Sequence, residues 1–160
     1  MSIKNRHYED SKLAAGPPRE VFDFIDNPNN LAMHMEIPSP WMGGGSVKII
    51  IGAGKAKTIG SHIRMSGKAF GIPIFLDEAI TRREPPRIKS WKTTGDINLV
   101  VIGHYEMTVK IEDFQGKSKV TGSVDWQLPD RNKWLGYMFG GLYARWCIGM
   151  MLKSVRERFG

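Results

Sequence analysis

Cysteine is almost missing from this chain: its 160 residues hold one, Cys147. A lone thiol excludes an internal disulfide and a zinc site built on cysteine pairs, and it suits a reducing cytoplasm, the expected location. An acidic balance is missing too. Lys and Arg number 23 against 16 Asp and Glu, a net charge of +7, so partners of opposite sign come first: nucleic acid, anionic lipid or a carboxylated ligand. Yet the cations are scattered. The densest stretches, TRREPPRIK (81–89) and KSVRER (153–158), lack the aromatic interleaving of a single-strand binder and the motif of a DNA-reading helix. The reading is a solvated basic surface with no specific nucleic-acid site. Weak peripheral contact with an anionic membrane stays open. The opening MSIKNRHYED has no apolar run, so no secretory leader is expected. No repeat or low-complexity linker divides the chain, and residues 1–160 are expected to form one domain.

Catalytic signatures are equally scarce. IIIGAGKAKT (49–58) resembles a strand entering a phosphate loop. That loop needs a glycine five places before Gly54 and a hydroxyl after Lys55, and the sequence has Ile49 and Ala56 there. A dinucleotide fingerprint would need a third glycine at Lys57. A hairpin turn fits better. Histidines 7, 34, 62 and 104 have no metal-ligand spacing, and His62 and His104 fall on polar strand faces, where solvent exposure is expected. There is no G-x-S-x-G elbow. Cys147 lies in an apolar helical stretch without a histidine beside it, so it reads as a small packing residue. No metal and no cofactor is expected.

What the chain does have is periodicity. A first strand, roughly 3–14, precedes GPPREVFDFIDNPNN, where Pro17 and Pro18 suit a helix start and Val21, Phe22 and Ile25 share a face. Pro28 ends that helix, and a second short one is expected over Asn29–Met35. After the loop IPSPWMGGG, alternation with period two runs to Leu128. Val47, Ile49 and Ile51 form one inner set, and Ile59, Ile63, Met65 and Ala69 the next. Ile74, Leu76, Glu78 and Ile80 follow, and the clearest run is 97–111, with odd positions including Gly103, Tyr105, Met107, Val109 and Ile111 inward. In the last strand Val120, Val124, Trp126 and Leu128 are inner. One dry and one wet face marks an antiparallel sheet.

Glu78 stands out, because it shares an apolar face with Leu76 and Ile80. A buried carboxylate must be paired, hydrated or protonated. Either a strand irregularity turns it outward, or it is a polar group in an internal cavity.

WLGYMFGGLYARWCIGMML (134–152) carries one charge, Arg145, over nearly a bilayer-spanning length. Gly136 and Gly140 even form the G-x-x-x-G of membrane helix pairs. The final strand leads into it without a linker, which favours a helix packed on the sheet and a protein soluble without detergent. Its glycines 136, 140, 141 and 149 are then tolerable where the helix bends or approaches the sheet closely.

KLAAGPPREVFDFIDNPNNLAMHM, EAITRREPPRIKSWKTTG and GHYEMTVKIEDFQGKSKVTGSVDWQLP, with the glycine-broken helix after them, together resemble the polyketide cyclase/dehydrase and lipid-transport group. That group belongs to the START-related, pollen-allergen-like helix-grip superfamily (SRPBCC). The resemblance implies an α+β fold: a curved seven-stranded antiparallel sheet wrapped around a long C-terminal helix, with two short helices after the first strand. It also implies an apolar cavity between sheet and helix. It is specific for fold, since the superfamily shares no catalytic signature.

The leading expectation is therefore binding or carriage of a hydrophobic small molecule, such as a lipid, quinone or polyketide-like compound. The residues expected to line its site are Glu78, Trp91, Tyr105, Met107, Trp126, Tyr143, Trp146 and Met150. A cyclase or dehydratase acting on such a ligand is the alternative, with Glu78, Tyr105, Tyr143 and Arg145 as its acid–base candidates. An adaptor working through the basic surface is the third.

Overall fold

The computed structural model describes residues 6–27, 30, 47–51, 57–69, 72–98, 102–129 and 133–160. The expected second helix (29–35), the IPSPWMGGG loop and the Gly52–Ala56 turn fall outside them, Asn30 apart. Strand β1 (Arg6–Ala14) leads into helix α1 (Pro18–Asp26). Six strands follow: β2 (Val47–Ile51), β3 (His62–Ala69), β4 (Ile72–Glu84), β5 (Ile88–Thr93), β6 (Tyr105–Phe114) and β7 (Lys117–Trp126). Helix α2 (Lys133–Phe159) closes the chain.

The seven strands form one antiparallel sheet in the order β1-β7-β6-β5-β4-β3-β2. Consecutive strands from β2 to β7 pair with their neighbours, and β1 adds at the far edge beside β7. This is the expected fold class. The β6–β7 connection shows why it forms locally. Gln115 (φ 52°) and Gly116 (φ 83°) are both left-handed, which is the two-residue turn whose twist matches a hairpin. The Gly116 amide donates to Asp113 Oδ1 at 3.1 Å. Beyond it β7 alternates cleanly: Ser118, Val120, Gly122, Val124 and Trp126 are buried, and the residues between them are partly or fully exposed.

Three expectations need correction. Ile59 lies in a turn before β3 and is 69% exposed, so its place in the inner set extended the alternation too far. The 97–111 strand begins only at Tyr105; Ile102, expected outward, is buried in the segment before it. Gly103 is held there by its amide, which donates to Gln127 O, and a side chain at 103 would meet the Leu128 carbonyl at 2.5 Å. Leu128 lies past the end of β7 and is only partly buried.

Helix α2 packs on β1, β7 and α1. Its inner face runs through Gly136, Gly140, Ala144, Ile148, Met151, Leu152 and Val155, all buried. Close approach explains two glycines. A Cβ at Gly136 would lie 2.5 Å from Pro129, and one at Gly122 of β7 would lie 2.4 Å from Met151. It does not explain Gly141 and Gly149, whose added Cβ would meet open space. Among the described residues no helix is long and apolar enough to cross a membrane.

Helix α1 is anchored by charge as well as by Val21, Phe22 and Ile25. Its last residue, Asp26, is buried and accepts two hydrogen bonds from Arg83, at 3.1 and 2.8 Å, and one from Lys89 Nζ at 2.8 Å. Lys89 also donates to the Asp26 carbonyl at 3.1 Å.

Candidate functional site: an apolar cavity with one acidic group

A cavity of about 110 Å³ lies between the sheet and α2. That is several times the roughly 30 Å³ share of one water in the liquid. Its floor comes from alternate inward positions of neighbouring strands: Ile63 and Met65 of β3, Leu76, Glu78 and Ile80 of β4, Lys89 and Trp91 of β5, Tyr105 and Met107 of β6, and Val124 of β7. Its roof is Tyr143, Ala144, Trp146, Cys147, Met150 and Met151 of α2, and Ile25 of α1 and Ile102 complete it.

Seven of the eight expected lining residues are brought together here: Glu78, Trp91, Tyr105, Met107, Tyr143, Trp146 and Met150. Trp126 is the exception and corrects the expectation. It is buried on the inner face and pairs across strands with Tyr105, but at the end of β7 it packs into the core instead of lining the space. Its indole N–H is buried with no partner among the described residues. Trp91 alternates poorly in sequence because β5 is a central strand, with Ile88, Lys89, Ser90 and Trp91 all buried.

Glu78 does point inward. It sits in the middle of β4, opposite Ile63 and Thr93, and is 2% exposed. The Tyr105 hydroxyl donates to Glu78 Oε2, and Trp91 adds a hydrogen bond through its side chain. Burial pushes the carboxyl up to about 7; the bonds from Tyr105 and Trp91 only partly oppose this. Near neutral pH this group is therefore divided between acid and carboxylate. The Tyr105 and Tyr143 hydroxyls are raised well above 10, burial being the main cause for each. Burial likewise pushes Cys147 up to about 12, although it is hydrogen-bonded to Tyr143. An un-ionised thiol of this kind is a poor nucleophile.

Lys89 was missed in the sequence. Its signal was parity with Trp91: two residues apart on one strand, both face inward. Burial lowers its pKa, while the Asp26 carboxylate works in the opposite direction. With Nζ held by Asp26, it forms a wall of the cavity and not a free amine. Ile102 had no such signal, because the alternation pointed it outward.

His62 is exposed and bonds Asp77 at 3.0 Å, and exposed His104 meets Thr93 Oγ1 at 2.8 Å. Among the described residues no three His, Cys, Asp or Glu side chains converge as a metal site would require.

No family model matches the sequence, and no curated protein matches it either. Solved structures do match. A truncated norcoclaurine synthase from Thalictrum flavum superposes with a TM-score of 0.68 at 13% identity, covering 99% of this chain and 95% of that one. Ara h 8.0201 gives 0.61 at 15% identity, over 95% and 98% of the two chains. A protein from Thermus thermophilus gives 0.65 at 14%, covering 96% of each. The fold these structures share with this chain is the helix grip, an antiparallel sheet packed against a long C-terminal helix. At these identities the likeness speaks to the helix-grip architecture alone. The chemistry must be argued from the cavity.

Proposed function

We propose that this helix-grip protein binds a small hydrophobic molecule with one polar group, its apolar body in the cavity and its polar group at Glu78 and Tyr105. One observation carries the reading: a largely apolar internal space with a hydrogen-bonded carboxyl–phenol pair on its wall. Pockets of this composition take their affinity from apolar burial and their orientation from a few polar groups. A hydroxyl or amine could donate to Glu78, and a carbonyl could accept from the protonated form. The space suits one ring. A lipid tail, quinone or polyketide-like ligand needs the wall to give, and Met65, Met107, Met150 and Met151 are unbranched, adaptable side chains suited to that.

The test is a thermal-shift series with benzene, phenol, 2-naphthol and a long-chain fatty alcohol, with native mass spectrometry of the purified protein. Phenol should raise the melting temperature more than benzene, and Glu78→Leu should remove that difference. Ala144→Leu should fill the roof and reduce every shift. If no probe shifts the midpoint and only the bare chain mass is seen, the binding reading fails.

A catalytic reading has one specific observation in its favour. Glu78 is balanced near neutral pH inside an apolar site, the condition that suits a general acid or base. One similar structure is a synthase crystallised with a transition-state analogue. Were the protein a cyclase or dehydratase on its ligand, Glu78→Gln would abolish turnover while binding persisted.

A further inference from the structure

The first three turns of α2 leave a face that neither the sheet nor the cavity covers. Trp134, Tyr137, Met138 and Leu142 lie at helical spacings of three and four, and they are 59%, 62%, 60% and 49% exposed. Gly141 falls on the same face and adds no side chain. Such a run of large apolar groups marks a contact surface. Its borders are cationic. Lys133 precedes it and Arg145 follows it, both exposed, and the Arg6 guanidinium lies 4.8 Å from the Tyr137 ring centroid. Within α2 the charged residues are Lys133, Arg145, Lys153, Arg156 and Arg158 against Glu157, five basic to one acidic. Of the acids on β1 and β7, Asp10 lies opposite Gly122 on the α2 side and is exposed, whereas Glu9 and Asp125 alternate to the other sheet face and are bonded to His7 there.

We propose that this face docks on the surface of an anionic phospholipid bilayer. Trp and Tyr favour the headgroup level, Met and Leu can enter the acyl boundary, and flanking Lys and Arg meet the negative surface. A net charge of +7 adds to that attraction. A second copy is the poorer occupant, since an isologous pairing would set the same cations against one another. The face also adjoins the cavity. Phe139, 40% exposed, and the cavity residues Tyr143 and Trp146 occupy the neighbouring stripe of α2, within one helical turn of Leu142. A docked helix would thus place the bilayer beside the cavity roof.

The test is co-sedimentation of the full chain with phosphatidylcholine vesicles, with and without phosphatidylserine, at low and high salt. Binding is expected only with phosphatidylserine, and salt should weaken it. The triple change Trp134→Ser, Met138→Ser and Leu142→Ser should weaken binding about tenfold or more, and Lys133→Glu with Arg145→Glu should do the same. All five positions are outside the cavity, so both variants should keep the phenol shift; the serine variant should also keep the native melting temperature, whereas Arg145→Glu gives up a guanidinium 5.6 Å from the Tyr8 ring centroid. That shift separates loss of docking from loss of the ligand site. No binding to either vesicle, or equal binding by the serine variant, overturns the proposal. So does a dimer in sedimentation equilibrium that the serine changes dissolve, since a second copy would then own the face.

Discussion

Glu78 concentrates the tension in this molecule. An inverse relation between its charge and its burial has a direct thermodynamic consequence. Its carboxyl is raised from 4.5 to about 7. Below about 4.5 it is protonated both folded and unfolded, and no penalty arises. Between about 4.5 and 7 the folded state holds the proton that the unfolded chain releases, so stability falls as pH rises and levels off above about 7. The full difference corresponds to about 3 kcal/mol. Glu78→Gln removes the ionisation but retains an acceptor for the Tyr105 hydroxyl. The variant should therefore be more stable than the parent at pH 8, by up to about 3 kcal/mol, and no more stable near pH 4.5. Urea unfolding at the two pH values measures this. A constant offset between the proteins at both would show that Glu78 is not held protonated by burial.

Among the elements, α1 is held by one buried carboxylate as well as by its apolar face. Asp26 carries two cationic partners, and although burial opposes its charge, the hydrogen bonds from Arg83 and Lys89 outweigh this and hold its pKa below the ordinary value. Asp26→Asn would leave Lys89 buried, 3% exposed, without its counter-charge. A loss of about 3–5 kcal/mol is expected in chemical unfolding. The parent's contribution from this site should be present above pH 4 and lost as pH falls through the lowered Asp26 pKa. Helix α2 offers the opposite case. Gly149 faces open space with an ordinary helical backbone, so Gly149→Ala should stabilise by about 0.5–1 kcal/mol. A thermal midpoint that fell would mean that the glycine is needed for a bend. The same elements show what could be read from sequence. Period-two patterning located β4, β6 and β7 because each has one dry face. It failed before Tyr105, where Asn98 bridges to Phe75 and Gly103 bonds Gln127 outside the regular ladder of β6, and Ile102 is buried outside any strand. The Asp26–Arg83–Lys89 cluster was not legible, since it joins residues 57 and 63 positions apart through the fold. The inward turn of Glu78 was legible as one of two outcomes, and burial on β4 decides between them. The α2 stretch was read as apolar because it is enclosed. Its first turns are instead apolar on the outside as well, which composition could not separate.

At the scale of the whole molecule, the cavity touches α1, α2 and five of the seven strands. No local opening of one element can expose it fully while the others remain in place. A ligand bound there should consequently stabilise the global native state and not one segment. If its affinity for the unfolded chain is nil, saturation to a hundred times Kd adds about 2.7 kcal/mol, RT ln(1 + [L]/Kd). Hydrogen exchange reads this element by element. Those amides of central β4 and β5 and of the buried face of α2 that exchange only through global unfolding should slow about a hundredfold with phenol or 2-naphthol at that excess. The Gln115–Gly116 turn lies far from the cavity in the register of β6 and β7 and should not change. Vesicles should give a different pattern. Docking through Trp134, Tyr137, Met138 and Leu142 should protect the first turns of α2 without a comparable effect on β4. Ligand protection confined to α2 would place the ligand on the outer face and remove the cavity as its site.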